Sequence, residues 1–560
     1  MYLFLVGPPG VGKSTLAPVL AEMLAAGVVE IDREVERRTR KSNKRTIDED
    51  GMPRFRELET KVLDGLRPTP AWIVVDTGGG TPLRPANRAR MRELGLIVGL
   101  RASVARITKG IAATLEKRPT RPESAAERAK HALNDPERKA AYTDVDVTFD
   151  VEHASADAAA TAIVNWLASG RGLRVDIGKE KPYPMVIRAG AVDALGAHLV
   201  ERGWSGRIAL VSERNAAWHL AERAKRGLEA SGLDVSLSRA PSGEAAKSLK
   251  AIEALWRSFA KARVARDGGV VALGGGALTD AAGFAAATYL RGVRVAHVGG
   301  VVALGGGALT DAAGFAAATY LRGVRVAHVP TTLLGMVDAA IGGKTAIDIE
   351  AGKNLVGAFH QPDAVLADVT ALATLPRRQR SSGLAEVIKT AFLVDDASVA
   401  HVDRAIPGIL RAEVGPCLTS VTLAAEVKAS VVTADPNEQG LRTLLNFGHT
   451  LGHAYEAASG YRVTHGEAVA IGLVFACALS EALGLAEIPL RQRMEALLAK
   501  AGLPIRARIP AKAWTLVGRD KKVRAGKVRW ILPRRIGRFS EVTDVPERAL
   551  GRATRIVEER

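Results

Sequence analysis

A stretch of 31 residues, GGVVALGGGALTDAAGFAAATYLRGVRVAHV, occupies positions 268–298 and recurs letter for letter at 299–329. Identical sequences carry identical local preferences, and each copy reads as one βα unit: an apolar strand, a glycine turn and a helical stretch. Two copies cannot fill one position in a sheet. Nor can they make a solenoid, which needs about three or more repeats to bury a shared core. True structural repeats also drift apart in sequence. The repeat therefore reads as a recent tandem duplication in the coding DNA, or an error in assembling it. The expectation is that one copy is displaced, or is added to the fold at some cost in stability.

The rest of the chain sets the fold around it. Residues 1 to about 170 alternate short apolar strands (Leu3–Val6, Trp72–Val75, Leu96–Leu100) with helical stretches and close on a helix over Ala154–Ala168. That is the pattern of a parallel sheet covered by helices. The segment SGRGLR, 169–174, reads as a linker. A second α/β region follows, with a strand predicted at Arg207–Val211, and yields after about residue 376 to long Ala- and Leu-rich helical stretches. The predicted class is α/β: a phosphate-loop domain over 1–170, a Rossmann-like domain over 174–376, and a mainly helical domain over 377–560. A site in the cleft between the last two is expected.

Composition narrows the function. The chain has 560 residues, 47% hydrophobic and 25% charged, which is ordinary globular material. Cys417 and Cys477 lie far apart among apolar or small neighbours, which argues against a disulfide framework and a cysteine-based zinc site. The apolar start MYLFLV runs into GPPG too soon for an export signal. Uncharged Ala468–Ser480 is shorter than the roughly 20 residues of a membrane span. A cytoplasmic chain without a membrane partner is expected. The formal charge of +18 invites a nucleic-acid reading, but the basic residues are dispersed and only 4% of residues are aromatic, so stacking platforms are few. Anionic small substrates explain the charge instead. The densest basic run, Arg519–Arg538, reads as a hairpin around Val528–Ile531.

The first chemical motif is GPPGVGKS at 7–14, which follows an apolar strand and precedes the helical TLAPVLAEMLAAG. Gly10 and Gly12 let backbone N–H groups wrap phosphates, Lys13 brings positive charge to the β- and γ-phosphates, and Ser14, with Thr15 next to it, faces the Mg²⁺ of ATP. The loop implies ATP without choosing between a kinase and an ATPase.

VEID ending at Asp32, RFRELE with Arg56, the Gly78-Gly79-Gly80 turn after WIVVD, EKRP with Arg118 and ERKAAY with Arg138 follow in order. In this order they resemble the shikimate kinase family over nearly all of 1–165. The resemblance implies that Asp32 contacts the shikimate hydroxyl that is phosphorylated and acts as its base. Arg56 and Arg138, beside the glycine turn, would hold the carboxylate, a geometry suited to paired guanidinium hydrogen bonds. Arg118 would sit in a lid over ATP and stabilise the transferring phosphoryl group. Glu30 replaces the usual first Asp of an Asp-x-Asp pair and keeps a carboxylate near Mg²⁺.

The second motif is NFGHTLGHAYE at 446–456, followed by THGEA at 464–468. On a helix His449 and His453 share a face, a spacing open to two readings: a metal pair, or two unrelated histidines. His465 and Glu386 of GLAEVIK add a third imidazole and a carboxylate, and two His plus one carboxylate is a known catalytic zinc donor set.

PSGEAAK (241–247), ALGGGALTD, PTTLL (330–334), VDAAIGGK (337–344), GKNLVGAFHQP (352–362), GLAEVIK (383–389) and GLRTLLNFGHTLGH (440–453) run in the order found in 3-dehydroquinate synthases, and the chain resembles that family from about 174 to 540. The resemblance implies a divalent metal, Zn²⁺ or Co²⁺, on Glu386, His449 and His465, with His453 as an acid/base group. Arg322, Asp338, Lys344, Asn354, Lys389, Arg442 and Lys521 or Lys522 would hold the substrate, Lys389 at the reacting centre. NAD would lie across Ser242, Gly243, Glu244, Lys247, the Gly-rich turn with its Asp, Thr331, Thr332, Lys344 and Lys353. Of the two turns, Gly305–Asp311 (with Gly307 and Asp311) is favoured over Gly274–Asp280 with Arg291, because it runs straight into PTTLL. The implied reaction converts 3-deoxy-arabino-heptulosonate 7-phosphate to 3-dehydroquinate and phosphate, with NAD regenerated in each turnover.

The competing readings are a metal-dependent polyol dehydrogenase in the second half, or a synthase half impaired by the duplication. Lys344, Lys389 and Arg442 favour a phosphorylated, carboxylated substrate. The partners implied are small molecules, shikimate and the heptulosonate phosphate, and a homodimer formed through the synthase half.

Overall fold

The computed structural model describes the chain apart from residues 115–122, 180–181, 214–217, 241–253, 255–256, 259, 264–268, 275–299, 306–324, 350–351, 437, 439, 461, 519–527 and 559–560. It separates into two compact units, Met1–Gly170 and Arg171–Arg560.

The first unit is a five-stranded parallel sheet in the order β2-β3-β1-β4-β5, formed by β1 (Tyr2–Val6), β2 (Gly27–Glu30), β3 (Ile73–Asp76), β4 (Gly95–Arg101) and β5 (Val147–Asp150). β1 lies between β3 and β4 and is wholly buried, which explains why it reads as an unbroken apolar run. Helix α1 (Lys13–Met23) opens directly after the phosphate loop, where Gly10 and Gly12 adopt φ of 85° and 108°. α2 (Ile31–Thr39) follows β2. α3 (Asn43–Gly65) is broken at Gly51, φ 84°, ahead of Pro53, and its second limb carries Arg56 and Glu59 on one face. α4 (Pro136–Thr143) is capped by Asp135, whose side chain accepts from the Arg138 N–H.

The second unit contains an eight-stranded sheet in the order β6-β7-β15-β12-β11-β10-β8-β9. Its strands are β6 (Leu173–Ile177), β7 (Tyr183–Arg188), β8 (Arg207–Glu213), β9 (Asp234–Ala240), β10 (Gly269–Gly274), β11 (Gly300–Gly305), β12 (Arg325–Pro330) and β15 (Ala364–Asp368). All neighbours are parallel except β6 and β7. A separate hairpin, β13 (Lys344–Ile349) with β14 (Gly352–Phe359), is inserted before β15.

The duplicated segment enters this sheet twice. β10 and β11 are the two copies of GVVALG, and each residue pairs with its own duplicate, Gly269 with Gly300 through Gly274 with Gly305. Of the two expected outcomes, the strand is added rather than displaced.

The rest of the unit is helical. α5 (Arg377–Phe392), α6 (Val414–Ala434), α7 (His449–Ala458) and α8 (His465–Ala482) pack together, and most of α5, α6 and α8 is buried. α6 and α8 are long and apolar enough to cross a membrane, but 78% of each apolar window is buried within the protein. They are core helices. The C-terminal hairpin pairs β16 (Trp530–Arg535) with β17 (Arg538–Val542) around Gly537, φ 74°. Residues 519–527 of the basic run lie outside the described residues, and Trp530–Pro533 of β16 are buried.

Candidate active sites

In the first unit the phosphate loop, the end of β3 and the start of α2 converge. Lys13 is 6% exposed, and its Nζ donates to the Gly7 and Pro8 carbonyls at 2.9 and 3.3 Å, so the ammonium lies back along the loop it serves. Ser14 Oγ donates to Asp76 Oδ2 at 2.5 Å, and Asp76 Oδ1 accepts from the Gly78 N–H at 3.1 Å. Asp76 ends a strand hydrogen-bonded to β1, which places a carboxylate beside the Ser14 hydroxyl. The motif WIVVD alone gives Asp76 no role. Its signal was an acid ending a buried strand next to a phosphate loop.

Asp32 is in the first turn of α2. Solvent reaches it, but the surrounding protein desolvates the carboxylate, and with Glu59 and Asp76 nearby its pKa is pushed up to about 6. The glycine turn is built around it. A Cβ on Gly78 would lie 2.8 Å from Asp32 Oδ1, and one on Gly80 would overlap the Arg56 guanidinium, so side chains there would fill the space these two groups use. Arg56 Nη1 donates to Glu59 Oε2 at 2.6 Å, and Glu59, 1% exposed, also accepts from Thr81 Oγ1 at 2.8 Å. Arg138 Nη1 donates to Tyr142 Oη at 3.3 Å, and that hydroxyl donates to the Gly79 carbonyl at 2.6 Å. Asp32, Arg56, Gly78–Gly80 and Arg138 thus lie together, with Glu59 three residues after Arg56 and Tyr142 four after Arg138 as partners whose signal is helical spacing. Arg118 lies outside the described residues.

In the second unit three helices bring the acidic and imidazole groups together, and glycines permit the approach. A Cβ on Gly466 would fall inside contact distance of the Ser382 carbonyl, and one on Gly472 inside that of the Gly448 carbonyl, so α8 runs backbone to backbone against α5 and the start of α7. The Gly466 N–H donates to Ser382 Oγ at 3.0 Å. Thr464 and Glu467 form a capping box that starts α8 at His465.

Glu386 Oε1 is the point of convergence. It lies 3.3 Å from His449 Nε2 and 3.6 Å from His465 Nε2, is buried, and forms no hydrogen bond among the described residues. The His453 ring centroid lies 5.0 Å from that of His449 and 5.7 Å from that of His465, and His453 is exposed where His449 is buried. One nitrogen from each of the three histidines falls within 4.8 Å of the others.

The outer partners orient the rings. His449 Nδ1 is 3.0 Å from the Phe447 carbonyl, which fixes the proton there and leaves Nε2 as a lone pair facing Glu386. His465 Nδ1 is 3.1 Å from Glu456 Oε2. Burial, with Lys389 nearby, lowers the His449 pKa to about 4. Burial would also lower His465, but the carboxylates of Glu386 and Glu456, one facing each ring nitrogen, outweigh it and raise the value to about 10. Glu386 is held well below its usual range because Lys389 and His449 outweigh the effect of its burial. An orphaned buried carboxylate oxygen facing two oriented imidazole nitrogens fits a divalent cation. Glu456, within the NFGHTLGHAYE motif, is the carboxylate that faces His465 Nδ1.

The cationic residues form a second set. Lys389 Nζ, 2% exposed, lies 2.5 Å from Glu386 Oε2 and donates to the Leu445 carbonyl at 2.9 Å. Asp338, following β12, pairs with Lys428 of α6, which overcomes the burial penalty and holds its pKa at about 2. Lys428 was missed; a lone lysine within an apolar helix was its signal. Arg442 is buried and donates to the Pro436 and Gly342 carbonyls at 2.7 and 3.0 Å. Lys344 pairs with Glu438, which also accepts from Asn446 Nδ2 at 3.1 Å. Thr331 and Thr332 follow β12, and Thr332 Oγ1 accepts from the Gly335 N–H at 3.1 Å. Lys353 and Asn354 belong to β14. Ser242, Gly243, Glu244, Lys247, Gly307, Asp311, Arg322, Lys521 and Lys522 lie outside the described residues, as do Asp280 and Arg291 of the first copy.

Comparison with known proteins adds the lineage. A 3-dehydroquinate synthase N-terminal model matches residues 238–302 and 298–382, broken at the duplication, and a 3-dehydroquinate synthase C-terminal model matches 383–523. The 3-dehydroquinate synthase of Symbiobacterium thermophilum is 39% identical over 384 residues, covering 67% of this chain and 98% of that one. The chain belongs to the 3-dehydroquinate synthase family. The synthase of Pelobacter propionicus is 42% identical over 373 residues, covering 65% and 94% of the two chains. A shikimate kinase model matches residues 9–168, so a kinase unit is fused ahead of the synthase unit and the chain is a bifunctional enzyme of aromatic biosynthesis acting on small molecules. Among solved structures, the synthase unit is similar to 2-epi-5-epi-valiolone synthase from Streptomyces hygroscopicus, determined with NAD⁺ and Zn²⁺ bound, at 26% identity and a TM-score of 0.55, covering 68% and 98% of the two chains.

Proposed function

We propose that the kinase unit phosphorylates shikimate from ATP and Mg²⁺ with Asp32 as the base, and that the synthase unit converts 3-deoxy-arabino-heptulosonate 7-phosphate to 3-dehydroquinate and phosphate. The observation that carries the second assignment is the convergence of Glu386 Oε1 with the Nε2 atoms of His449 and His465 at 3.3 and 3.6 Å. When bound there, Zn²⁺ or Co²⁺ supplies Lewis-acid polarisation of a substrate oxygen and NAD supplies a reversible hydride acceptor.

The chain's own groups supply the rest. His453, the exposed imidazole of the cluster, moves protons at the reacting carbon and oxygen. Lys389, fixed between Glu386 and the Leu445 carbonyl, presents a buried cation to the hydroxyl or carboxylate of the substrate. Arg442 and Lys344 are cations at the same cleft for phosphate and carboxylate, with Asp338 and Asn354 for hydroxyls. In the kinase unit Lys13 and Ser14 hold the triphosphate and its Mg²⁺, and Arg56 and Arg138 face the shikimate carboxylate. Domain limits of 1–170, 174–376 and 377–560, a cytoplasmic location and a homodimer through the synthase unit belong to the same reading.

The test is phosphate release from the heptulosonate phosphate with catalytic amounts of NAD, with and without a chelator. Chelator-sensitive release supports the assignment. Net NADH accumulation from an alcohol without phosphate release would instead identify a polyol dehydrogenase.

A further inference from the structure

We propose that the added strand leaves the metal side of the synthase unit intact and holds the two sides of its dinucleotide site one strand too far apart. This rests on the reading of NAD as the cofactor.

The pairing shows that one strand is a removable insert. β8 pairs with β10 as Ile208 with Gly269, β10 with β11 as Gly269 with Gly300, and β11 with β12 as Gly300 with Arg325. Because each residue of β10 sits opposite its own duplicate, a single copy would meet β8 and β12 in the registers that the two copies now share. Excising 31 residues therefore closes the sheet with no slip and no face exchanged. Excising 268–298 or 299–329 yields one and the same chain.

Widening the sheet is not neutral for a ligand that crosses it. Strand spacing is about 4.8 Å, so β8 and β9 stand that much further from β12 than a single copy allows. Ligands of parallel sheets bind at the carboxyl ends of the strands. Here those ends are Glu213 and Ala240 on one side of the insert and Pro330 on the other, with Thr331 and Thr332 following β12. Hydrogen bonds tolerate a few tenths of an ångström, so a dinucleotide anchored at β12 forfeits its partners beyond β10. The metal donors are not divided in this way. Glu386, His449 and His465 come from α5, α7 and α8, and Asp338, which follows β12, is held by Lys428 of α6.

The experiment compares the full chain with the chain lacking 299–329, measuring NAD binding by calorimetry and Zn²⁺ binding by competition with a chromophoric chelator. Loss of two hydrogen bonds of ordinary net strength weakens binding about thirtyfold. The expected result is a Kd for NAD at least about thirtyfold lower after excision, with Zn²⁺ affinity unchanged. Equal NAD affinity in the two chains, or weaker binding after excision, would overturn the proposal. NAD binding in neither chain, with Zn²⁺ bound in both, would defeat the cofactor reading and this inference with it. Hydrogen exchange on the full chain provides a measurement that does not depend on the excised chain folding. Peptides covering Val270–Leu273 and Val301–Leu304 are identical in sequence and share one mass envelope. A single protected population is expected, whereas an equal split into protected and exchanged populations would place one copy outside the sheet and refute the proposal.

Discussion

Replacing Gly466 with alanine tests how the metal donors are brought together. Gly466 follows His465 at the start of α8, and a Cβ there would stand 2.5 Å from both the carbonyl carbon and the Cα of Ser382. Carbon–carbon contacts are comfortable at about 3.5–4.0 Å, so α5 and α8 must part by roughly 1 Å at this crossing. Overpacking of this kind costs about 1–3 kcal/mol of unfolding free energy. The larger effect falls on the site, because His465 moves with α8 while Glu386 stays on α5, and metal–ligand distances tolerate only about 0.2 Å. Zn²⁺ affinity is expected to fall at least about tenfold to a hundredfold, read by chelator competition, with shikimate phosphorylation unchanged. Gly551→Ala is the control: its Cβ would meet nothing within 4 Å, and the change should stabilise its helix by about 0.5–1 kcal/mol. Wild-type Zn²⁺ affinity in Gly466→Ala would show that the donors do not depend on this close packing.

Three further outcomes are expected. His449→Ala should abolish phosphate release and spare shikimate phosphorylation, and Lys13→Ala should do the reverse; loss of both activities in either variant would contradict two independent sites. Because the Asp32 pKa is raised to about 6, kinase kcat/KM should fall as pH drops through that value. The same raised pKa makes the ionised carboxylate a burden on folding above about pH 6 that eases towards pH 4, so Asp32→Asn should raise the melting temperature at pH 8 more than at pH 4. A flat activity profile from pH 5 to 8 would remove Asp32 as the base. Glu456→Gln removes the carboxylate partner of His465 Nδ1 and should weaken Zn²⁺ binding about tenfold to a hundredfold without unfolding the unit, and an unchanged affinity would deny it a positioning role.

Local chemistry made much of this chain legible. The phosphate loop needs only a strand, glycines and a helix start, all contiguous, so the place of Lys13 and Ser14 at the start of α1 was legible. The histidine motif gave His449 and His453 a shared face but could not say which nitrogen meets which oxygen. His453 proved exposed and His449 buried, a difference set by how α7 lies against α8. Asp76, Lys428 and Glu456 are not legible in the sequence because each acts through a partner on another element. Ser14 with Asp76, and Asp338 with Lys428, are examples.

From the sequence alone came the alternation of apolar runs and helical stretches, the two chemical motifs and the existence of two equal βα units, because these depend on neighbours along the chain. Tertiary structure alone decided that both copies of GVVALG enter one sheet in matched register, and that Glu386 becomes the buried oxygen between two imidazoles. Strand order and helix contact are set by burial between residues far apart in the chain, and periodicity carries no information about which distant surfaces meet.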